Sequence, residues 1–303
     1  MKQLLNRIGV LLLIGTLSLF KAYGQQLKFR SDFSLNGPVK KCTVLTSYGK
    51  EIYSFTKDGK LQELTSYFDD NNYQQIRYTY KDSLLIERRI ELYEMGKLDP
   101  QASSINVYQS DSTGLLQKQF IVDYNSNTLE ELSYSYDSIG RLAQLKKLTK
   151  NGLSTIQYTS ATDSLGHIHN TVLIDSVIRR QTDSIPLALL HKDSLTHTRT
   201  IYYLDGIEDR AEEKKYNHKS AIVYSKNELY LLDDNQWYVQ KQEEFEFNEK
   251  GQMIQKVTKE GTTSFTQKFL YQTDGTEYQN WVKQIVMPNM TYITRIIEYF
   301  EEN

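Results

Sequence analysis

Polar and apolar residues alternate along most of this 303-residue chain, with the period of two that places successive side chains on opposite faces of a β-strand. The alternating runs are rich in Tyr, Val and Ile, and clusters of Asp, Asn and Gly separate them. The first half of the chain predicts strands over residues 39–47, 51–55, 61–68, 73–80, 85–93, 104–108, 116–124, 129–136 and 142–148. Their short and regular spacing predicts an antiparallel meander in an all-β protein.

A turn signal recurs between these strands. The segments DSTGLL, DSIGRL and DSLGHI align without gaps at 111–116, 137–142 and 163–168, and they start 26 residues apart. Looser copies lie at 55–61 and 247–253, and degenerate ones follow Tyr80, Tyr203 and Tyr271. The Asp can accept hydrogen bonds from backbone amides, and the Gly three places later can adopt the positive φ of a tight turn. The residues predicted to form turns are Asp111, Gly114, Asp137, Gly140, Asp163, Gly166 and Gly251.

Each copy predicts a β-hairpin with aromatic side chains on one side. Tyr134 and Tyr136 lie two residues apart on the incoming strand, so both should face the same way. A lone hairpin is only marginally stable in water, so the hairpins must stack to bury these rings. We therefore expect β-hairpin repeats that form an elongated, curled sheet or an open barrel or half-shell.

The pattern Tyr-x-Tyr-Asp-x-x-Gly-Arg-Leu at 134–142 resembles the YD repeat of bacterial RHS-type repeat proteins. The C-terminal stretches at 269–286 and 291–300 resemble the closing unit of short secreted members. The resemblance implies hairpin repeats in long curled sheets, and the largest members wrap such sheets into shells around a toxin. This chain is too short for such a shell and lacks the self-cleaving segment, so the resemblance does not extend to proteolysis.

The N-terminus predicts a signal peptide, residues 1–24, which is removed on export. Lys2 and Arg7 precede an apolar run over 8–20, and small residues end at Gly24 before the expected cleavage. No cysteine stands at that position, so we expect no lipid anchor, and no later apolar run predicts a transmembrane segment. The mature chain, 25–303, is then a single β-hairpin repeat domain that is periplasmic, on the outer surface or secreted. Cys42 is the only cysteine, which excludes an intramolecular disulfide.

The charge balance argues against nucleic acid as a partner. Loss of Lys2, Arg7 and Lys21 with the leader lowers the basic residues from 36 to 33 against 38 acidic residues, a formal charge of −5.

The repeat rhythm breaks near residues 175–198. This stretch carries Pro186 and an apolar cluster at 187–190, which predicts an insertion in the form of a loop, a short helix or a cover for a sheet edge. Such an insertion is also a candidate for a function specific to this chain.

The residues that could carry chemistry form no recognisable catalytic or metal-binding constellation. His167 and His169 should share one face of a strand, but no third metal ligand is implied. Paired carboxylates at 69–70, 130–131 and 233–234 could serve a glycosidase, yet two of these pairs read as turns. Cys42 reads as a buried structural thiol. We expect no catalytic residue, no metal and no cofactor.

Two tryptophans are candidates for binding. Trp237, with its neighbour Tyr238, and Trp281 each follow a polar turn and open a strand. Exposed aromatic rings can bind sugars or peptides, whereas buried rings would only pack at the ends of the core.

We therefore expect an exported, non-enzymatic structural or binding module of the bacterial envelope, with a carbohydrate or an envelope protein as its partner. The alternatives are a secreted glycan hydrolase that uses paired carboxylates on a concave sheet, and an accessory or immunity-like partner of a toxin.

Overall fold

A computed structural model describes residues 27–185 and 196–301. The predicted signal peptide, Pro186, the cluster at 187–190 and His191 lie outside these residues. Within these residues, twenty strands follow one 3-10 turn at Arg30–Phe33. They are β1 (Val39–Thr46), β2 (Gly49–Phe55), β3 (Leu61–Tyr67), β4 (Tyr73–Lys81), β5 (Leu84–Glu94), β6 (Lys97–Ser110), β7 (Leu116–Val122), β8 (Thr128–Tyr136), β9 (Leu142–Thr149), β10 (Gly152–Thr162), β11 (Ile168–Ile174), β12 (Val177–Ser184), β13 (Thr196–Leu204), β14 (Ile207–Tyr216), β15 (Ile222–Leu231), β16 (Gln236–Phe247), β17 (Met253–Glu260), β18 (Thr263–Thr273), β19 (Trp281–Met287) and β20 (Thr291–Tyr299).

Every strand pairs in antiparallel fashion with the strands before and after it in the chain, and β20 pairs with β1. Val44 lies opposite Arg295 in this last pairing, and Cys42 lies opposite Ile297. The predicted all-β meander of hairpins is confirmed, and its sheet closes into a 20-stranded barrel. None of the residues described forms a helix long and apolar enough to cross a bilayer.

The Asp-x-x-Gly signal forms a five-residue loop. At Asp137 the backbone amide donates to the carbonyl of Arg141, at 2.8 Å, and the amide of Gly140 donates to the carbonyl of Asp137, at 3.0 Å. The Asp137 carboxylate accepts from the amides of Ile139 and Arg141, at 3.0 and 2.8 Å. Gly140 has a φ of 79°, which a side chain disfavours. Loops with the same backbone bonds begin at Thr56, Asp111, Asp123, Asp163, Asn217 and Asn248.

Two of these loops carry serine where the others carry glycine. Ser126 and Ser220 have φ values of 66° and 60°, which places both in the left-handed region. The loops at Asp123 and Asn217 therefore have the same geometry without the glycine that would reveal it in the sequence.

Other hairpins use a different, two-residue turn. Asp82 and Ser83, Asp175 and Ser176, and Asp205 and Gly206 all have positive φ values. Positive φ at both central residues defines the type I′ turn, whose twist matches that of the flanking strands. The degenerate copies after Tyr80 and Tyr203 are thus turns of another type.

The described parts of the region 175–198 belong to the meander. Asp175 and Ser176 form a hairpin turn, Val177–Ser184 is β12, and β13 begins at Thr196 and pairs with β12. Both ends of the predicted insertion, 175–184 and 196–198, thus belong to a hairpin turn and to strands.

The two faces of the sheet differ in burial. Following the register from strand to strand places Cys42, Tyr53, Tyr78, Tyr134 and Tyr271 on one face. Burial raises the pKa of all five side chains. The opposite face carries exposed apolar residues: Leu45, Leu148, Leu153, Leu270 and Ile296. Because closing a sheet crowds the side chains on its concave side, we assign the buried face to the inside of the barrel.

Aliphatic side chains contribute to the core beside the aromatic ones. Leu61, Leu116 and Leu142 each open a strand directly after one of the five-residue loops, and all three are buried. Burial of such a leucine contributes roughly 1.5–3 kcal/mol. A cluster of buried residues lies beside the N-terminal segment and comprises Leu35, Val39, Cys42, Phe55 and Leu61.

Tyrosine hydroxyls connect successive hairpins. Tyr80, Tyr136 and Tyr271 donate to the carbonyls of Leu61, Leu116 and Met253, at 2.6, 2.7 and 2.8 Å. In each case the acceptor is the first residue of the preceding strand. The recurring tyrosine thus bonds its own hairpin to the one before it.

Asn280 holds the two ends of the chain together. Its side chain is 1% exposed, donates to the carbonyl of Asn36 at 2.9 Å and to the Tyr299 hydroxyl at 2.8 Å, and accepts from the Asn36 amide at 2.7 Å. The Tyr299 hydroxyl donates in turn to the Asp274 carboxylate. These bonds reinforce the pairing of β1 with β20.

We predict that Gly140→Ala lowers the free energy of unfolding by about 1–2 kcal/mol, because a Cβ strains the left-handed backbone. That Cβ would meet no atom within 4 Å, so the cost is conformational and not a clash. Ser126→Gly, at the matching position of another loop, should cost nothing measurable. Urea denaturation of both variants tests this, and equal losses would contradict it.

We also predict that Asn280→Ala costs about 2–4 kcal/mol, because it removes three hydrogen bonds and leaves their partners buried. Asn125 is exposed and serves as a control, since Asn125→Ala should change stability by less than about 0.5 kcal/mol. A loss for Asn280→Ala no larger than that of the control would show that the closure does not depend on this side chain.

Candidate binding site

Trp237 and Tyr238 are adjacent in β16, so their side chains point to opposite faces. Trp237 lies opposite Tyr230 of β15, and Tyr238 lies opposite Leu229. Following the register places Trp237 on the outer face and Tyr238 on the inner face. The two predicted binding residues therefore cannot belong to one flat surface.

Trp237 lies at the centre of an aromatic and cationic surface. Its ring centroid is 5.1 Å from that of Tyr230, and the Arg199 guanidinium lies 5.3 Å from the ring. Val239 is on the same face and is exposed. We call Trp237, Tyr230, Arg199 and Val239 the Trp237 platform.

Ion pairs hold the cationic side of the platform. Arg199 Nη1 lies 2.6 Å from an oxygen of Glu228, which is only 7% exposed. Lys226 Nζ lies 2.7 Å from Glu213 and 3.2 Å from Glu228. Burial disfavours ionisation of Glu213, but its hydrogen bond from Lys226 and the nearby positive charges outweigh burial and hold its pKa below the ordinary value.

This network keeps the Arg199 side chain in place next to the indole. A guanidinium near an indole face contributes about 0.5–1 kcal/mol at an exposed site. The side chains of the platform are therefore already ordered, and they would lose little conformational entropy when a ligand binds. Such a surface offers apolar area with a charged group beside it.

Trp281 lies in packed surroundings instead. The Arg295 guanidinium lies 3.5 Å from its ring, and the Tyr271 ring packs against it at 5.9 Å. Arg295 donates to the carbonyl of Phe33, at 2.9 Å, which ties the indole to the N-terminal segment. Of the two interpretations of Trp281, the geometry favours packing.

Tyr238 is 42% exposed on the inner face. Its hydroxyl donates to the Asp234 carboxylate, at 2.9 Å, and this bond raises the pKa of Tyr238. The ring itself remains accessible.

His167 ends the loop that starts at Asp163, whereas His169 is in β11, so the two histidines do not share a strand as predicted. Both contact carboxylates. His167 Nδ1 lies 3.3 Å from an oxygen of Asp163, and His169 Nδ1 lies 2.8 Å from an oxygen of Asp183. The hydrogen bond with Asp183, supported by Asp163, raises the pKa of His169. Within residues 27–185 and 196–301, no three potential ligands are grouped to hold a metal ion.

The paired carboxylates do not converge on one site. Asp69 accepts from the amides of Asn71 and Asn72, both at 2.9 Å, and forms a turn. Glu130 and Glu131 are neighbours in β8, so they face opposite sides, where they pair with Lys147 and Lys118.

Sequence reasoning missed most of the Trp237 platform. Arg199 is in β13 and Tyr230 in β15, and neither residue stands in a recognisable motif. Only the register of four strands brings them to Trp237. The available sequence signal is the alternation of Tyr230, Glu228 and Lys226, which places them on one face.

We predict that the Cys42 thiol is inert in the folded protein. Burial raises its pKa to about 11, although the nearby Arg295 charge acts in the opposite direction. Ellman's reagent at pH 8 should therefore react slowly with the native chain and rapidly after unfolding in urea. Because Cys42 is the only cysteine, the signal has one source. Rapid reaction of the native protein would contradict this burial.

No family model matches this chain, and no curated protein matches it in sequence. A porin-like protein from Bacteroides uniformis is 10% identical with a TM-score of 0.33, and the alignment covers 87% of this chain and 99% of that one. A porin-like protein from Bacteroides vulgatus is 9% identical with a TM-score of 0.22, covering the same shares. TcdB2-TccC3 is 11% identical with a TM-score of 0.20, covering 85% of this chain and 20% of that one. Similarities this low assign neither a family nor a function.

Proposed function

We propose that the protein is an exported, non-enzymatic β-barrel module of the bacterial envelope that binds a carbohydrate through the Trp237 platform. The observation that supports this proposal is that Trp237 faces outward and packs between Tyr230 and Arg199. A half-buried ring next to a fixed cation suits a sugar, which offers an apolar ring face and polar hydroxyls. A protein of the envelope is the alternative partner.

We also propose that the barrel works in water. Ion pairs form on both faces of its strands, for example between Lys118 and Glu131 on the outer face and between Lys147 and Glu130 on the inner face. Among the described residues, charged side chains thus interrupt the apolar positions on both faces, which supports an aqueous compartment. The predicted leader at 1–24 supports export to it.

Kinship with YD-repeat proteins of the RHS type remains part of this proposal. The 26-residue spacing of Asp111, Asp137 and Asp163 supports it, as do their identical loops. The tyrosine that precedes Asp137 bonds to the preceding hairpin, which gives the Tyr-Asp pair a structural role.

The positions and contacts of the ionisable residues support a non-enzymatic role. Of the carboxylate pairs considered for a glycosidase, the one at 69–70 is in a turn and the one at 130–131 is divided between the two faces. Cys42 is buried with a raised pKa, which makes it a poor nucleophile.

We predict that Trp237→Ala weakens carbohydrate binding about 10-fold or more while the protein stays folded, because a central aromatic anchor is removed. A glycan array should identify a ligand of the wild-type protein, and calorimetry should compare the variants on it. Far-UV circular dichroism checks the fold.

Tyr292→Ala is the matched control, since Tyr292 is an exposed aromatic residue elsewhere on the outer face. It should leave the affinity unchanged. If the wild type binds no glycan, or if both variants lose affinity equally, the platform is not a carbohydrate site.

A further inference from the structure

The strand arginines differ in their partners according to the face that they occupy. On the outer face, Arg77, Arg89 and Arg199 each lie within 3.5 Å of a glutamate oxygen. The inner face carries four other arginines: Arg88, Arg180, Arg210 and Arg295. Among the residues that the structure describes, no carboxylate lies within ion-pair distance of any of these four.

Unpaired guanidinium groups of this kind are costly to bury. Nε of Arg88, and both Nε and Nη1 of Arg295, are shielded from solvent without a hydrogen-bond acceptor among the described residues. A charged donor left without an acceptor loses its hydration without compensation. The inner face therefore presents positive charge that the fold itself does not neutralise.

Two of these arginines lie in one row across neighbouring strands. Arg180 of β12 lies opposite Tyr202 of β13, and Tyr202 lies opposite Arg210 of β14. The row continues through Leu229 of β15 to Tyr238 of β16. Arg180 and Arg210 are therefore two strands apart, which separates their backbones by about 10 Å.

The rings in this row are placed next to the charges. The Arg210 guanidinium lies 4.8 Å from the Tyr202 ring centroid, and Tyr238 offers a second, exposed ring. We call Arg180, Tyr202, Arg210 and Tyr238 the arginine–tyrosine row.

Three acidic side chains near the row have other partners. Glu212, two residues from Arg210 on the same face, pairs with Lys214 at 2.7 Å. Asp205 lies 3.6 Å from Arg179, which is at a bulge next to Arg180. Asp234 accepts from Tyr238, at 2.9 Å, and lies beyond the far end of the row. Arg180 and Arg210 thus remain available to an external anion.

We propose that the arginine–tyrosine row binds an acidic oligosaccharide whose carboxylate or sulfate groups contact Arg180 and Arg210. A guanidinium presents parallel N–H donors that match a carboxylate or a sulfate ester in two-point contact. Sugar rings between these groups would pack on Tyr202 and Tyr238. The site lies on the opposite face from the Trp237 platform, so it is independent of the carbohydrate binding proposed there.

A glycan fits this row better than a nucleic acid. The mature chain carries a formal charge of −5, which repels a long polyanion in which every backbone unit is charged. An acidic oligosaccharide carries fewer charges, and two arginines can meet them. Binding of an oligonucleotide is therefore an outcome that the experiment must separate.

The test is isothermal calorimetry of the full mature chain with four probes of similar length. An oligogalacturonate carries carboxylates, a chondroitin sulfate oligosaccharide adds sulfate esters, a dextran oligosaccharide is uncharged, and a single-stranded oligonucleotide is the polyanionic alternative. We expect at least one acidic glycan to bind about 10-fold or more tightly than dextran. The carboxylate-only and the sulfated probe distinguish the two anionic groups.

We predict that Arg180→Gln with Arg210→Gln weakens this binding about 10-fold or more, because both charge-assisted contacts are lost. The control is Arg141→Gln with Lys150→Gln, which removes the same charge from two exposed turns and should preserve the affinity. Replacing Arg180 and Arg210 by lysine should restore only part of it, because lysine lacks the planar fork. Trp237→Ala should have no effect, which separates this site from the platform.

Three results would overturn the proposal. The first is no preference for either acidic glycan over dextran. The second is an equal loss of affinity in the Arg180/Arg210 pair and in the control pair. The third is tighter binding of the oligonucleotide than of both acidic glycans.

Discussion

The pairing of β20 with β1 is the constraint on which the rest of the molecule depends. An open meander would leave two strands with unpaired amides and carbonyls, which invite association with other chains. Closure removes both edges and gives the sheet a definite inside and outside. The Asn280 side chain secures this closure, because it bonds to the segment before β1 and to the end of β20. By securing the closure, the buried side-chain amide of Asn280 also helps to keep the inner face separate from the outer face.

That difference organises the charged side chains. Arginines on the outer face are paired with glutamates, whereas the four on the inner face have no carboxylate partner in the part of the chain that the structure describes. One strand, β16, serves both surfaces, because Trp237 and Tyr238 point in opposite directions. Ion pairs order the side chains of the outer surface. On the inner surface, some guanidinium N–H groups lack an acceptor among the described residues. The two proposed sites therefore differ in chemistry although they share a strand.

The local geometry was predictable from sequence, and the long-range geometry was not. Asp137 and Gly140 signal their loop because only glycine adopts a φ of 79° without strain. The equivalent loops at Asp123 and Asn217 were missed, since Ser126 and Ser220 occupy that position. Closure could not be predicted, because nothing in a strand reveals a partner more than 200 residues away. The Trp237 platform and the arginine–tyrosine row were missed for the same reason, as register accumulates over several strands.

Closure also bears on how the chain reaches its folded state. Every strand except the first and last finds its partners next to it in sequence, so the hairpins can form one after another at small entropic cost. The contact between Asn36 and Asn280 spans 244 residues. Joining ends so far apart is favourable only after the intervening hairpins have shortened the loop between them. The ring should therefore close late in folding, and until then β1 and β20 are exposed to capture by other strands.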